Sequence, residues 1–271
     1  MEKIATYALT VVCFLLFFES LAYCAYPSGL IAYWSFDNNA SNLISGVSAT
    51  NNNALKTMFG KTGGSYYFDG SSGNYLNSTI SYALNSPFTY MAWVKKLGGP
   101  DNSVIFHTSQ AADYSDGSMI YADTNANCNY RNPADQLLGA GPLPLNQWVF
   151  VACVFNGTHM LSYNNGSYQY NLKVNVSSNS VTRVNFGKRL ENIQYFNGTV
   201  DEVAIFNRVV NASDISQYYQ NSLNGTCDYF GDCYNASIAL SGSSIGNGGA
   251  TANNYVFANY SINRTYLNSL T

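Results

Sequence analysis

The chain has 271 residues, of which 10% are charged and 15% aromatic, with 23 tyrosines and a formal net charge of −3. A helical protein would be rich in Ala, Glu, Lys and Leu, so this composition excludes a mainly helical fold. No basic run exceeds the pairs Lys95-Lys96 and Lys188-Arg189, which excludes a nucleic-acid-binding protein. Aromatic residues interleaved with Asn, Ser and Gly favour short strands joined by many turns.

The first 24 residues have the pattern of a secretory signal peptide. Lys3 precedes an apolar run over Ile4–Phe18, and the small residues Ser20 and Ala22 suit cleavage after Ala22, with cleavage after Cys24 as an alternative. We therefore expect a secreted or cell-surface protein. Membrane attachment is expected only if this segment stays uncleaved as an anchor.

Cysteines in an exported chain are expected to pair. Cys13 leaves with the signal, and four cysteines remain beyond residue 24, which allow three connectivities: Cys128, Cys153, Cys227 and Cys233. We favour Cys227–Cys233, which closes a small loop, and Cys128–Cys153, which joins two predicted strands. None of these spacings is that of a zinc finger.

From Gly29 onward, strand-like runs alternate with turn signals, the pattern of a sandwich or barrel. Asn165-Gly166 between two such runs predicts a hairpin with a type I′ turn. The clearest predicted strands are Leu30–Phe36, Tyr66–Phe68, Phe88–Val94, Val104–His107, Trp148–Phe155, Met160–Tyr163, Val181–Phe186 and Thr199–Phe206.

One short helix is predicted after the last strand. Asn211 can cap its first turn and Asp214 lies near its positive end. Apolar residues at helical spacing follow: Ile215, Tyr218, Tyr219 and Leu223. We expect one domain over residues 26–223, followed over 224–271 by a Ser/Gly/Asn-rich tail with the Cys227–Cys233 loop and a possible extra strand.

Five segments in order resemble laminin-G-like jelly-roll domains of the concanavalin A-like lectin/glucanase superfamily. They are GLIAYWSFD at Gly29–Asp37, YYFDGSSGNYL at Tyr66–Leu76, FTYMAWVK at Phe88–Lys95, WVFVACVFNGTHMLSYNNG at Trp148–Gly166 and FNGTVDEVAIFNRVVNASDISQYY at Phe196–Tyr219. The resemblance implies an all-β fold, a two-sheet antiparallel jelly-roll sandwich with one short C-terminal helix. This scaffold carries lectins, adhesion modules and some glucanases, so the fold does not settle the function.

The sequence lacks the carboxylate pair of a retaining glycosidase. Such hydrolysis needs two carboxyl groups about 5 Å apart, which alternate positions of one strand provide. Beyond the signal only Glu191 and Glu202 remain as glutamates, and the adjacent Asp201 and Glu202 would face opposite sides of a regular strand. We therefore expect a protein that is not an enzyme, with a divergent glycoside hydrolase as one alternative and an inert structural envelope component as another.

Members of this fold often bind Ca²⁺, a hard ion that takes six to eight oxygen ligands. The resemblance makes Asp37, Asp69 and Asp201 the candidate ligands for a structural calcium ion. If Val203 and Ile205 point inward, Asp201 points inward too, and its buried carboxylate needs a partner. That partner is either Ca²⁺, Arg208 or backbone N–H groups.

Ligand recognition is expected on a loop rich in Tyr, Asn and Asp over residues 110–132. Aromatic rings with polar rims suit sugar binding. The predicted ligand residues are Asp113, Tyr114, Asp116, Tyr121, Tyr130 and Arg131, beside Asn129. A glycan or a cell-surface protein is the expected partner, and the Asn-x-Ser/Thr sequons, such as those at Asn156 and Asn165, predict a glycoprotein.

Overall fold

A computed structural model describes residues 26–110, 116–189, 191 and 193–223, which form two stacked antiparallel sheets and one helix. The predicted signal peptide, the predicted Cys227–Cys233 pair and the predicted tail lie outside the described residues. Within the described ranges, no helix is both long and apolar enough to cross a membrane.

The first sheet has eight strands. They are β1 (Leu30–Trp34), β3 (Leu55–Thr57), β4 (Ser65–Asp69), β6 (Phe88–Gly98), β11 (Trp148–Phe155), β12 (His159–Asn164), β13 (Ser167–Lys173) and β15 (Asn197–Phe206). Their order is β13-β12-β11-β6-β15-β4-β3, and β1 also pairs with β15. The turn between β12 and β13 has positive φ at both Asn165 (47°) and Gly166 (76°), which confirms the predicted hairpin.

The second sheet has seven strands. They are β2 (Thr50–Asn52), β5 (Tyr75–Ala83), β7 (Ser103–Ser109), β8 (Gly117–Ala122), β9 (Asn125–Arg131), β10 (Asp135–Pro142) and β14 (Ser180–Phe186), in the order β10-β9-β8-β7-β14-β5-β2. The all-β jelly-roll prediction is therefore confirmed.

Aromatic residues fill the space between the sheets. Their rings are almost fully buried and contact one another, as in the edge-to-face pair Trp34–Phe186 with centroids 5.1 Å apart. A disulfide between Cys128 on β9 and Cys153 on β11 joins the two sheets, with the Cα atoms 5.7 Å apart. The predicted Cys128–Cys153 pairing is confirmed.

A second apolar cluster lies on the outer side of the eight-stranded sheet, beneath helix α1 (Ala212–Leu223). The backbone N–H of Asp214 donates to the Asn211 side chain at 2.8 Å, which confirms the predicted cap. Trp93 on β6 donates its indole N–H to Ser222 at 2.8 Å. The helix thus covers one outer face and leaves the outer face of the seven-stranded sheet to other elements.

The orientation of Asp201 differs from the predicted one because β15 contains a β-bulge. The register with β6 shifts between Asp201 and Ala204, and Glu202 has a positive φ of 52°. Because the extra residue resets the alternation, Val200 and Val203 both point into the core. Asp201 pairs with Trp93 and lies on the helix side of the sheet, so the inward register was wrong.

Candidate functional site

The outer face of the seven-stranded sheet collects polar side chains across neighbouring strands. Asn185 on β14 pairs with Asn77 on β5 and with His107 on β7, and residues paired in this way share one face. The next row pairs Arg183 with Thr79. Since strands hold these positions, the spacing of the polar groups is fixed by the sheet rather than by loops.

A groove of about 430 Å³ lies on this face beside β2, β5 and β14. Amide, hydroxyl and cationic side chains form most of its lining, and none of the lining residues is acidic: Val47, Ser48, Thr50, Tyr75, Asn77, Ser78, Thr79, Arg183, Asn185 and Lys188. A polar concavity of this size accommodates a ligand that needs several hydrogen bonds.

Two cations flank the centre of the groove. Lys188 is nearly buried and holds its Nζ 3.5 Å from the centroid of the Tyr75 ring, a cation–π contact, and burial lowers the pKa of its ammonium group. Arg183 is exposed on β14 and forms no ion pair in the part of the chain that the structure describes.

A network around Asp135 lies further along the same face. Asp135 accepts hydrogen bonds from Arg131 Nη1 and Asn129 Nδ2, both at 2.9 Å, and from the Tyr121 hydroxyl at 3.3 Å. Burial opposes its ionisation, but the hydrogen bonds from Asn129 and Arg131 and the charge of Arg189 outweigh it and hold the pKa of Asp135 below its ordinary value. Asp135 is therefore an ionised organising group and not a proton donor at neutral pH.

The connection from β14 to β15 links this network to the groove. It carries Lys188 in the groove and, next to it, Arg189, whose Nε donates to both carboxylate oxygens of Glu191 at 3.0 Å. Arg189 Nη1 also donates to the Tyr121 hydroxyl at 3.2 Å. The arginine thus fastens the connection to the sheet.

His107 lies fully buried in the middle of this face. Burial, followed by the charges of Arg189 and Arg131, lowers its pKa to about 3. The imidazole is therefore neutral at physiological pH, and its position does not suit a general base that must reach a ligand.

The structure places some of the predicted ligand residues on the outer face of the seven-stranded sheet and others in the core. Tyr121 and Arg131 meet at Asp135 on the outer face, next to Asn129. Tyr130 instead lies in the core, where its hydroxyl donates to the Leu84 carbonyl at 3.0 Å, so its ring cannot serve as an exposed platform. Alternation along β9 places Cys128 and Tyr130 on one side and Asn129 and Arg131 on the other, a signal already present in the sequence.

Asp116, another member of the predicted ligand set, directly precedes β8. Asp116 is buried and accepts hydrogen bonds from the Ser177 hydroxyl and the Asn179 amide. Asp113 and Tyr114 fall outside the described residues. The groove residues were not predicted from the sequence. Polar residues at alternate positions, Asn77 with Thr79 and Arg183 with Asn185, nevertheless indicate a polar face on each strand.

Asp201 and Glu202 are both fully buried on the helix side of the other sheet. Asp201 accepts the backbone N–H groups of Lys61 at 2.8 Å, Thr62 at 3.1 Å and Glu202 at 2.8 Å. Burial raises the pKa of Asp201, and the nearby Asp37 carboxylate adds to this rise against the opposing N–H bonds. Glu202 accepts a hydrogen bond from the Tyr33 hydroxyl.

The three predicted calcium ligands do not form one coordination shell. Asp37 accepts the backbone N–H of Gly64 at 2.9 Å, so it and Asp201 hold the same loop over residues 60–64. Asp69 lies opposite Asn197, roughly 13 Å along β15 from Asp201, and accepts the N–H of Ser71 in an exposed turn. Among the described residues no group of three or more His, Cys, Asp or Glu is placed to hold a metal ion. Calcium binding stays a prediction.

A family model described as the concanavalin A-like lectin/glucanases superfamily matches residues 68–216. No curated protein sequence matches the chain.

Solved structures with the same fold include domain 4 of AbnA, a GH43 extracellular arabinanase from Geobacillus stearothermophilus, in complex with arabinotriose. It has a TM-score of 0.56 and 16% identity over 69% of this chain and 96% of that domain. The receptor binding domain of botulinum neurotoxin D has a TM-score of 0.59 and 16% identity over 72% and 53%. The botulinum neurotoxin DC binding domain in complex with SialylT has a TM-score of 0.57 and 14% identity over 72% and 52%.

The chain matches about half the length of these toxin domains. The family match covers more than half of the present chain, and the two-sheet topology agrees with it. The chain belongs to the concanavalin A-like lectin/glucanase superfamily, as a laminin-G-like jelly roll.

Proposed function

We propose that this protein is a non-catalytic glycan-binding module whose site is the polar groove on the seven-stranded sheet. The groove itself carries the proposal, because its amide and hydroxyl side chains, centred on the pair Asn77 and Asn185, match the hydroxyl groups of a saccharide. These side chains lie on paired strands that already hold them in position, so little conformational entropy is lost when a ligand binds.

The fold relatives support a binding role. Domain 4 of the arabinanase was solved with arabinotriose, and the two toxin structures are binding domains. These molecules share only the fold with this chain, so they support glycan or receptor binding as a class and not a particular ligand.

The state of the carboxylates supports the absence of catalysis. Asp201 and Glu202 are fully buried, and both oxygens of Asp201 already accept backbone N–H groups. On the polar face, Asp135 and Glu191 pair with Arg131 and Arg189. A glycosidase needs one protonated and one ionised carboxyl group facing the sugar, and neither set supplies such a pair.

We also propose that the protein acts outside the cell. The Cys128–Cys153 disulfide joins the two sheets and suits an oxidising compartment, as does the predicted signal peptide.

Glycan-array binding of the secreted chain, with and without EDTA, tests the proposed function. We expect binding to a defined set of glycans, and the double variant Asn77→Ala/Asn185→Ala should weaken it by roughly tenfold or more through lost hydrogen bonds. Asn171→Ala, an exposed amide on β13 of the other sheet, is the matched control and should bind normally. Loss of binding in EDTA would establish the calcium requirement predicted from the sequence.

A hydrolysis assay on the glycans that bind tests the catalytic alternative. We expect no release of reducing sugar. Release that Asp201→Asn or Glu202→Gln abolishes would reject the non-catalytic proposal, and a chain that binds no glycan at all would reject the groove as a sugar site.

A further inference from the structure

We infer that residues 255–262 of the tail bind the open edge of β3 and cover an exposed apolar patch beside it. The patch consists of Leu55 on β3 with Met58 and Phe59 in the loop that follows. Residues 255–262 themselves lie outside the described residues. The patch belongs to the eight-stranded sheet, so this inference does not depend on the glycan-binding function proposed for the other sheet.

The side chains of the patch are largely exposed to solvent although they are apolar. Leu55 is 62% exposed, Met58 73% and Phe59 82%. Single apolar residues at a protein surface are common, whereas several together mark a surface that another molecule or segment covers.

Buried carboxylates fix the loop that presents the patch. Asp201 accepts the backbone N–H of Lys61 at 2.8 Å, and Asp37 accepts that of Gly64 at 2.9 Å. A Cβ at Gly60 would lie 2.7 Å from Oδ2 of Asp201, so the close approach of the loop to this carboxylate requires glycine. Because the loop is held in this way, the patch is already formed before anything binds to it.

β3 leaves one edge of the eight-stranded sheet open. It is the last strand in the order of the sheet, and its residues Leu55–Thr57 pair with Ser65–Tyr67 of β4 on one side. Within the described ranges no strand pairs with its other side. An open edge offers backbone N–H and C=O groups to an added extended segment, and the neighbouring side chains give that pairing its specificity.

The tail begins next to this patch. Lys61, close after Phe59 in the sequence, donates a hydrogen bond from its Nζ to the backbone carbonyl of Leu223, the last residue of helix α1. The same Nζ lies 4.6 Å from the centroid of the Trp93 ring beneath the helix. A flexible linker of about 30 residues, such as that between Leu223 and residue 255, spans roughly 30 Å on average, so residues 255–262 can reach β3.

The sequence of the segment suits this position. Residues 255–262 read YVFANYSI, a run without charged residues that is rich in aromatic and β-branched side chains. Such a run left in water favours association between molecules. The covalent link to Leu223 gives the segment an effective concentration in the millimolar range at its own patch, which favours it over a second copy of the chain.

Photo-crosslinking of the full chain tests the inference. p-Benzoylphenylalanine replaces Phe59, and mass spectrometry of the digested monomer identifies the peptide that is cross-linked to it. We expect the adduct to lie within residues 255–262. The matched control carries the same group in place of Tyr170, which is 58% exposed on β13 at the opposite edge of the same sheet, and should give no adduct with residues 255–262.

Hydrogen exchange measures how strongly the segment is held. Met58→Ser/Phe59→Ser should speed amide exchange in residues 255–262 by roughly tenfold or more, because two large apolar side chains no longer become buried. Tyr168→Ser/Tyr170→Ser removes two exposed aromatic side chains from β13 and should leave this exchange unchanged. Circular dichroism verifies that both variants are folded.

Three results would overturn the inference. An adduct between two chains would assign the patch to a dimer of this protein. A monomer without an adduct in residues 255–262 would leave the patch to a different partner, such as a membrane surface. Exchange in residues 255–262 that is equally fast in the wild-type chain and in Met58→Ser/Phe59→Ser would show that the segment is not held at the patch.

Discussion

Arg189, in the connection after β14, places its Nη1 3.5 Å from the Oδ2 of Asp135 at the start of β10. The guanidinium is 8% exposed and the carboxylate 29% exposed, so the pair is partly shielded from water. Because Lys188 precedes Arg189 directly, this contact also fixes one end of the groove.

The first prediction concerns this pair. Asp135→Ala should lower the free energy of unfolding by about 1–3 kcal/mol, because it leaves Arg189 and Arg131 without their shared partner, and solvent access reduces the loss below that of a fully buried pair. Urea denaturation measures it, and a double-mutant cycle with Arg189→Met isolates the coupling. Asp101→Ala, whose carboxylate is 68% exposed beside Lys96, is the control and should change little.

The second prediction concerns the disulfide between the sheets. Cys128 and Cys153 are 25 residues apart in sequence, so the variant Cys128→Ala/Cys153→Ala should lose about 3–4 kcal/mol of unfolding free energy as the unfolded chain gains entropy. The midpoint of denaturant unfolding should fall accordingly. A midpoint equal to that of the wild-type chain would show that packing alone joins β9 to β11.

Much of the fold could be predicted because local chemistry agrees with the final structure. Asn165-Gly166 supplies both positive φ values that the β12–β13 turn requires, and Asn211 caps the helix as expected. The orientation of Asp201 could not be predicted, because the bulge in β15 is built on a glutamate at positive φ. Nothing in the residue type of Glu202 indicates that conformation.

The candidate groove could not be predicted from the sequence for a different reason. The pairing of Asn77 with Asn185 is long-range, and neither strand shows it alone. Asp135 and Arg189 likewise meet only after β10 and the β14–β15 connection reach the same face. Patterns along one strand indicate which side chains share a face, but the order of strands in a jelly roll decides which polar groups become neighbours.

The third prediction compares two glycines at positive φ. A Cβ at Gly187 (φ 84°) would lie 2.3 Å from Cδ1 of the buried Phe68 ring, whereas a Cβ at Gly157 (φ 101°) would meet no atom within 4 Å. Gly187→Ala combines backbone strain with overpacking and should cost about 2–4 kcal/mol, against about 1–2 for Gly157→Ala. Thermal unfolding of both variants should give the lower midpoint for Gly187→Ala, and the reverse order would contradict the packing of Phe68 against this turn.

The fourth prediction concerns acid sensitivity at His107. The pKa of His107 is about 3 in the folded protein, against the ordinary value of 6.5 that applies to the unfolded chain. Between these two pH values the unfolded chain therefore binds a proton that the folded chain does not. The stability that the neutral imidazole contributes is therefore complete above about pH 6.5 and is lost as the pH falls, by up to about 1.4 kcal/mol per pH unit. Urea unfolding from about pH 7 to about pH 4 should show this slope.

Two variants test whether His107 causes this dependence of stability on pH. His107→Gln should be less stable at neutral pH, because the core position is altered, but its stability should fall less steeply with acid. His159 is the first residue of β12, beside Thr158, and His159→Gln should keep the full slope. Asp135, whose pKa is lowered, adds acid sensitivity of the same sign in every variant, so the difference between the two curves isolates His107. Parallel curves for the two variants would mean that His107 reaches solvent and titrates in the folded protein.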